Sequence, residues 1–462
     1  MLFTSLGFLV FLPLALAAFA AAPARHRWWV LLLASAVFYG YARPANLAYL
    51  ASVCVVAIVA ARALQRLEGR AARAWTLGIA LALILGSLPA ARLLGFPSGY
   101  SFYSFAAAAL AIDAFRRQLP AAPAGHEALY LAWFPKLLAG PIERATTFLP
   151  RLREALRPTP EQVVLGSQLF LWGLVKKVLI ADNLAPVVDR AFNIAAYASP
   201  VELLVSVYFF AFQIYCDFSG YTDMAIGVSL LFGLPLMENF RRPYLSRGPG
   251  EFWAERWHIS LGRWFRDYLY IPLGGSRAGR VRTYLNLMIV FVASGLWHAG
   301  LGYGTLGWTF VAWGVVNGLY LWGAVATRPL WRAIGERFPA LRDNGALTLM
   351  RVLLTFHLIA AAWILFRAKS LQDAWVIARK IVMHAGEYPV LVPLYPFTAE
   401  HYTGFALIAA LVAIEVIDER RSIFQRLAAA PAALRWGCAY AAVFALLLFG
   451  RWQGREFIYM QF

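Results

Sequence analysis

Charge is scarce in this chain, and acidic charge scarcest of all. Asp, Glu, Lys and Arg make up 14% of the 462 residues, 24 acids against 42 bases, while 61% are hydrophobic and 15% aromatic. Soluble domains carry about a quarter charged residues, so an ordinary soluble fold is excluded and a polytopic membrane protein is expected. Cysteine is nearly absent: Cys54, Cys216 and Cys438 lie scattered in apolar segments, with no CxxC pair and no Cys/His metal spacing. They read as small buried hydrophobes, and no metal site is expected. There is no GxSxG elbow, no P-loop lysine motif and no GxGxxG, so three common chemistries lack support. The formal surplus of +18 does not argue for nucleic acid, because the bases sit in short clusters between apolar runs. Those clusters read as topology signals and as contacts to anionic membrane lipids.

The apolar runs predict about twelve membrane helices. The first, Leu2–Ala22, is long enough to cross a hydrocarbon core of about 30 Å and has no basic leader, so it is expected as a span and not as a cleaved signal. Others fall at Trp28–Tyr41, Trp75–Leu94, Tyr100–Phe115, Val163–Ile180, Val201–Leu234, Tyr284–His298, Thr305–Ala326, Leu347–Phe366 and, last, Trp436–Phe449. Basic clusters alternate between loops in a way that puts both termini on the outer side. Two features strain that scheme: Lys176 and Lys177 near the outer end of their span, and Arg367, Lys369, Arg379 and Lys380 in an outer segment. The scheme also needs Leu129–Pro141 and Glu251–Ile271 to enter and leave from one side as re-entrant pieces, which their prolines and glycines permit.

The most informative stretch is Glu251 to Asn317, with His258 and His298, two of only seven histidines. Glu251, Glu255, Arg256, Arg263, Arg266 and Asp267 make its first part too charged to span. Trp253, Trp257, Leu261, Trp264 and Tyr268 nevertheless recur at helical spacing, which predicts an amphipathic helix at the membrane interface. His258, beside Trp257, has a bland alternative as an interfacial histidine bonded to backbone. His298 closes an apolar run, next to Trp297 and among the small residues Ser294, Gly295 and Gly300. An imidazole at that depth is costly without a role. Asp217 and Asp223 interrupt Val201–Leu234, with Gly220 between them where a helix can kink. They are either a structural network, paired with arginines of the following loop or with Tyr215 or Tyr221, or participants in proton transfer. An imidazole takes a proton from a hydroxyl near neutral pH, and an acyl thioester is already activated. The two histidines, with no third ligand evident, therefore favour acyl transfer over a metal centre.

The blocks YCDFSGYTDMAIG, LPLMENFRRPYL, EFWAERWHISLGRWFRDYLYIPLGGSR and SGLWHAG resemble the membrane-bound O-acyltransferase family, in the branch that acetylates bacterial polysaccharides. GYSFYSFAAAALAIDAFR, WFPKLLAGPIER and the terminal EFIYMQF support the likeness. The resemblance implies an all-α polytopic fold around a narrow tunnel, with N-terminal helices over 1–98, a catalytic core over 99–327 and C-terminal helices with an aromatic tail over 328–462. It implies His298 as the catalytic histidine and His258 as the second. It also implies a cytoplasmic acetyl-CoA or acyl carrier protein donor with no bound cofactor, a periplasmic SGNH-type partner, a polysaccharide acceptor and residence in the bacterial inner membrane. Two departures stand out. Ala299 follows His298 where LWHG is usual, and Asn317 stands where relatives often carry histidine. Arg277 and Arg280, in the arginine-rich stretch Arg241–Arg282, are the expected donor-binding cations. The tail is expected either as an interfacial aromatic anchor or as a segment folded over the tunnel mouth near His298, where Tyr459 would dock a partner or carry the acyl group transiently. Two rival readings are a D-alanyl or lipid acyltransferase of the same family and, from another class, a proton-coupled transporter.

Overall fold

The computed structural model describes residues 1–88, 97–154, 156–277, 279–299, 307–339, 344–420, 422–452 and 457–458. Among these the chain is helical throughout, with no strand. Seven helices have the length and apolarity to cross a membrane: Asn46–Arg66, Pro160–Asn193, Pro200–Leu231, Trp308–Ile334, Gly345–Arg367, Ala399–Arg420 and Ala432–Phe449. Leu6–Ala21 and Tyr100–Phe115 are shorter apolar helices. Arg27–Gly40, at 14 residues, is shorter than a straight span needs, and Arg280–Ala299 opens on arginines. Part of the expected span Trp75–Leu94 lies outside the described residues. Large apolar side chains such as Leu6, Trp75 and Leu448 face outward, which a molecule in lipid tolerates and one in water does not. This is a multi-pass, all-α membrane protein.

Pro200–Leu231 is the central helix. Its apolar stretch is 83% buried inside the protein, whereas the corresponding stretches of the other six candidate spans are 6–39% buried. Pro200 at the first position and the Ser199 hydroxyl, accepting from the Glu202 amide at 3.1 Å, fix its start. At about 1.5 Å per residue its 32 residues run to about 48 Å, well beyond the hydrocarbon thickness, so it tilts or protrudes. The helix passes unbroken through Gly220. Gly220 serves close approach: a Cβ on it would stand 2.8 Å from the Gly173 carbonyl oxygen. Gly227 and Gly166 repeat the meeting seven residues along each helix, at 2.5–2.7 Å. Only glycine allows two helices this near, and van der Waals contact is what holds helices together in lipid.

The neighbouring helix, Pro160–Leu174, starts at a capping box of Thr159 and Gln162 and passes through a π-helical turn, Val175–Ala181, into Asp182–Asn193. The wider turn directs two lysines inward. Lys176 Nζ lies 2.7 Å from Asp223 Oδ2, and Lys177 Nζ lies 2.7 Å from Asp217 Oδ1 and 2.9 Å from Asp182 Oδ1. The partners of Asp217 and Asp223 are therefore lysines of the preceding helix, not arginines of the following loop, and Tyr215 donates its hydroxyl to Glu415 instead. These lysines did not fit the positive-inside pattern because protein carboxylates satisfy them. Two cations of the outer segment behave alike: Arg367 pairs with Asp189 at 2.7 Å, and Lys380 donates to the carbonyls of Ala195, Ala196 and Ala198. Cys54 and Cys216 are buried as expected, but Cys438 is exposed. Its helix, Ala432–Phe449, is only 6% buried, so an apolar setting here means lipid and not protein core.

Candidate functional site

The stretch around His258 does not form the single interfacial helix its spacing predicts. Phe252–Arg256 is a π-helical turn, the chain breaks at Trp257, and helix resumes over Ile259–Phe265 before a second π turn, Arg266–Tyr270. Trp257, Leu261 and Trp264 are buried in protein and not laid against lipid. The Trp264 indole N–H finds the Phe105 carbonyl at 3.0 Å, so the ring needs no water at its polar edge. His258 itself adopts a left-handed backbone, φ 44°, a conformation costing a non-glycine residue about 1–3 kcal/mol. The loop before it maintains that geometry: Arg241 N–H donates to the Arg256 carbonyl at 2.9 Å and Ile259 N–H to the Asn239 carbonyl at 3.0 Å.

The same loop orients the imidazole. Asn239 is buried, and its Oδ1 accepts from the Ser260 amide at 3.1 Å. An amide N–H requires an acceptor, so the oxygen of Asn239 occupies this position. His258 Nδ1 lies 3.1 Å from that oxygen and therefore carries the proton, which makes Nε2 the basic nitrogen. Rings of Phe218, Phe102 and Phe240 surround the imidazole at centroid separations of 4.8, 6.2 and 6.3 Å. The bland expectation of a histidine bonded to backbone at the interface is thus replaced by a buried histidine oriented by a side chain.

His298 lies in the last turn of Arg280–Ala299, buried among the rings of Trp297, Phe366, Trp313 and Phe310 at 4.5–6.0 Å. That helix packs directly on Trp308–Arg337: a Cβ on Gly295 would stand 2.5 Å from the Phe310 carbonyl oxygen, and one on Gly314 would stand 2.4 Å from that of Phe291. Asn317 is fully buried and used. Its Nδ2 donates to the Trp313 carbonyl at 2.8 Å and its Oδ1 accepts from the Trp253 indole at 3.1 Å.

His258 and His298, 40 positions apart in sequence, line one cavity of about 280 Å³. Trp253, Trp257, Phe291, Trp313 and Ser294 form part of its wall, and Arg263 and Arg266 border it. Trp297 instead packs behind His298 against Phe102 and Phe105, and Asn317 acts on the cavity through Trp253. Arg277 and Arg280 are exposed and outside the cavity wall. Asp217 and Asp223 are also outside it, held by their lysines. Sequence reasoning passed over Asn239 and did not set Arg263 and Arg266 apart from the rest of the stretch Arg241–Arg282. Asn239 sits in a block quoted for its resemblance, and the two arginines looked like every other topology arginine. No cluster of three or more potential metal ligands occurs among the described residues. Two imidazoles in an aromatic cavity, one with its basic nitrogen assigned by its neighbours, have the equipment for proton transfer at a bound hydroxyl or thioester.

Two residues of the tail are described, and they do not fit an anchor at the membrane surface. Phe457 and Ile458 are buried in protein, not at the membrane surface. The Ile458 amide donates to Asp217 Oδ2 at 2.7 Å, and the Phe457 ring meets Tyr221 edge-on at 5.0 Å with Lys177 4.7 Å from its centroid. These contacts lie on the Asp217–Tyr221 side of the central helix, one position along from Phe218, which touches His258. Tyr459 lies outside the described residues.

Comparison with known proteins gives a consistent assignment. The model of the membrane-bound O-acyltransferase family matches residues 13–365. A probable alginate O-acetylase of Azotobacter vinelandii is 37% identical over 407 residues, covering 81% of this chain and 77% of that protein. A peptidoglycan O-acetyltransferase of Helicobacter pylori is 37% identical over 257 residues, 55% of this chain and 46% of that protein. A teichoic acid D-alanyltransferase of Bacillus subtilis is more distant, 24% identical over 285 residues, 59% of this chain and 68% of that protein.

Proposed function

Since the chain belongs to the membrane-bound O-acyltransferase family and is an O-acyltransferase, we propose that it takes an acetyl group from a cytoplasmic thioester and passes it across the membrane towards hydroxyls of an extracytoplasmic polysaccharide. The observation that carries this reading is the convergence of His258 and His298 on one aromatic cavity. Acetyl transfer fits the more similar relatives, an alginate and a peptidoglycan acetylating protein, better than D-alanyl transfer, whose representative is 24% identical. The acceptor follows from the same relatives. A periplasmic SGNH-type partner that completes delivery, the bacterial inner membrane as location and outward-facing termini remain part of this proposal on the resemblance and the arginine pattern.

In the proposed reaction the acceptor oxygen attacks the thioester carbonyl while an imidazole removes its proton. The C–S bond then breaks, and the thiolate leaves as thiol with the proton that the imidazole held. His298 is assigned as that base. His258, which lines the same cavity with Nδ1–H fixed on Asn239 and Nε2 as its basic nitrogen, supports donor positioning or proton movement. The test is transport-coupled chemistry. Proteoliposomes carrying the enzyme and its acceptor should release free thiol in proportion to acetyl groups gained on the far side, and His298→Ala should stop both. Movement of an intact solute without thiol release would return the transporter reading.

A further inference from the structure

The two short segments that carry Asn239 and His258 are held together from outside by a carboxylate. Between the segments, the Arg256 carbonyl accepts from the Arg241 amide at 2.9 Å and the Asn239 carbonyl from the Ile259 amide at 3.0 Å. The Arg256 guanidinium also reaches back to the carbonyls of Arg241 and Arg242, at 3.4 Å each. Each segment contains a left-handed residue that is not glycine, Arg242 at φ 40° and His258 at φ 44°. Such a backbone is costly for a residue with a Cβ and persists only where its surroundings over-determine it. Two backbone hydrogen bonds are modest beside two strained residues, so a further restraint is needed.

Glu419 supplies that restraint. Arg256, buried and two positions before His258, meets it fork to fork, Nη2 to Oε1 at 2.7 Å and Nη1 to Oε2 at 3.1 Å. Arg242 Nε adds a third donor to Oε2 at 2.5 Å. Asp418 takes the Arg242 Nη1, and Glu251 takes Arg256 Nε at 2.7 Å. Paired contacts between guanidinium and carboxylate fix direction as well as distance. Asp418 and Glu419 lie in the last turn of Ala399–Arg420, where acidic side chains oppose the helix dipole. Local helix stability therefore does not account for them, whereas the two arginines do. Their helix also lies beyond residues 13–365, the span that the family model matches. We propose that Glu419 is a positioning residue for His258: by clamping Arg256 and Arg242 it maintains the left-handed turn in which Asn239 fixes the His258 proton on Nδ1. This rests on the placement of His258 in the acyl-transfer cavity and makes the C-terminal helix part of the architecture of the reaction.

The experiment reads the imidazole directly, by nitrogen NMR of the full-length chain labelled in its histidines and held in phosphatidylcholine nanodiscs. The chain has seven histidines, and the His258 resonances are those missing from a His258→Asn sample. Nitrogen shifts separate the protonated from the bare nitrogen of a neutral ring, so they report the tautomer. In the wild type Nδ1 should carry the proton and Nε2 should be bare. Glu419→Ala alters a side chain 34% exposed at a helix end, which folding tolerates, and should give a mixture of both tautomers. With acetyl-CoA as donor, the same variant should lower the kcat of thiol release about tenfold while donor KM stays unchanged. Glu419→Asp keeps the carboxylate and should recover most of the rate. Arg256→Lys keeps the charge but loses the fork, and should behave like Glu419→Ala. Glu387→Ala, which removes an exposed ion pair with His384, should change neither the His258 tautomer nor kcat. An unchanged His258 tautomer in Glu419→Ala overturns the proposal. So does a rate that falls only in step with the folded fraction, or a rise in donor KM at constant kcat. A wild type that releases no thiol from acetyl-CoA would remove the acyl-transfer reading; the tautomer comparison needs no substrate and still decides for or against the clamp.

Discussion

At the scale of single residues, His258 and Asn239 are a pair that reads differently alone and together. Asn239 holds one imidazole nitrogen and the Ser260 amide with a single oxygen, so Asn239→Leu removes the shared acceptor of both from a buried spot and releases the ring to change tautomer. We expect kcat to fall on the order of ten- to a hundredfold with little change in donor KM, the scale seen when a group that orients a functional histidine is lost. Asn239→Asp keeps an oxygen at that position and should recover most of the rate. Steady-state kinetics of the two variants check this, and a KM change with constant kcat would place His258 in binding. His298→Ala should cost about 10²–10⁴-fold in rate if that imidazole is the base, with the protein still folded in the membrane; near-wild-type acetylation by a well-expressed variant would remove the assignment. Both histidines were legible in the sequence because they are rare and flanked by tryptophan. Asn239 was not, since the contact joins residues 19 apart through a loop whose path no periodicity encodes. Arg263 and Arg266 were counted in the arginine-rich stretch, but their place at the cavity was not legible: as sequence, an arginine at a cavity rim cannot be told from one that merely faces headgroups.

Among the helices and turns, sequence pattern located what is apolar but not what touches what. The central helix was visible as Val201–Leu234 and is found at Pro200–Leu231, because a capped, proline-initiated apolar run has few alternatives. Its glycine was legible as a residue but its contact was not, since close approach of a second helix is a property of the pair. The stretch Glu251–Ile271 failed differently. Helical spacing of Trp253, Trp257, Leu261, Trp264 and Tyr268 was real, but the chain breaks at Trp257 and His258 and each piece turns its rings into protein. The helix-pair geometry carries a prediction. Gly220→Val places methyl groups where 2.8 Å separates a Cβ from the Gly173 carbonyl oxygen, and overpacking of this kind costs roughly 1–3 kcal/mol or more. The variant should show a lowered Tm in detergent, whereas Gly437→Val, on the outward-facing Ala432–Phe449 helix with open space around it, should not. Equal Tm values for the two would show that the crossing relaxes freely.

On the scale of the whole molecule, one ionic cluster ties the tail to the helix that touches His258. Lys177 is shared by Asp182 and Asp217, and Asp217 spends its second oxygen on the Ile458 amide while the lysine also faces the Phe457 ring. The cluster is 2% exposed at Lys177 and at Asp217, so neither charge tolerates losing its partner: breaking such a buried pair costs about 3–5 kcal/mol. Asp217→Asn halves this arrangement. It can still accept from the Ile458 amide but leaves Lys177 leaning on Asp182 alone, so Tm should fall and tail residues should exchange amide protons faster. Truncation after Trp452 leaves the ion pair intact: Lys177 and Asp217 keep each other and, among the described contacts, lose one neutral amide and one ring, a deficit of about 1–3 kcal/mol. The two variants therefore rank, Asp217→Asn below the truncation in Tm, if the cluster is chiefly ionic. The reverse order would mean that the tail itself, and not the charges beneath it, holds this side of the central helix. Activity then separates architecture from chemistry. With Phe218 one position from Asp217 and in contact with His258, a tail that only packs should lower kcat in step with stability, and supplying the missing segment as a peptide should restore both. Restored stability without restored turnover would place the function of the tail in residues beyond Ile458.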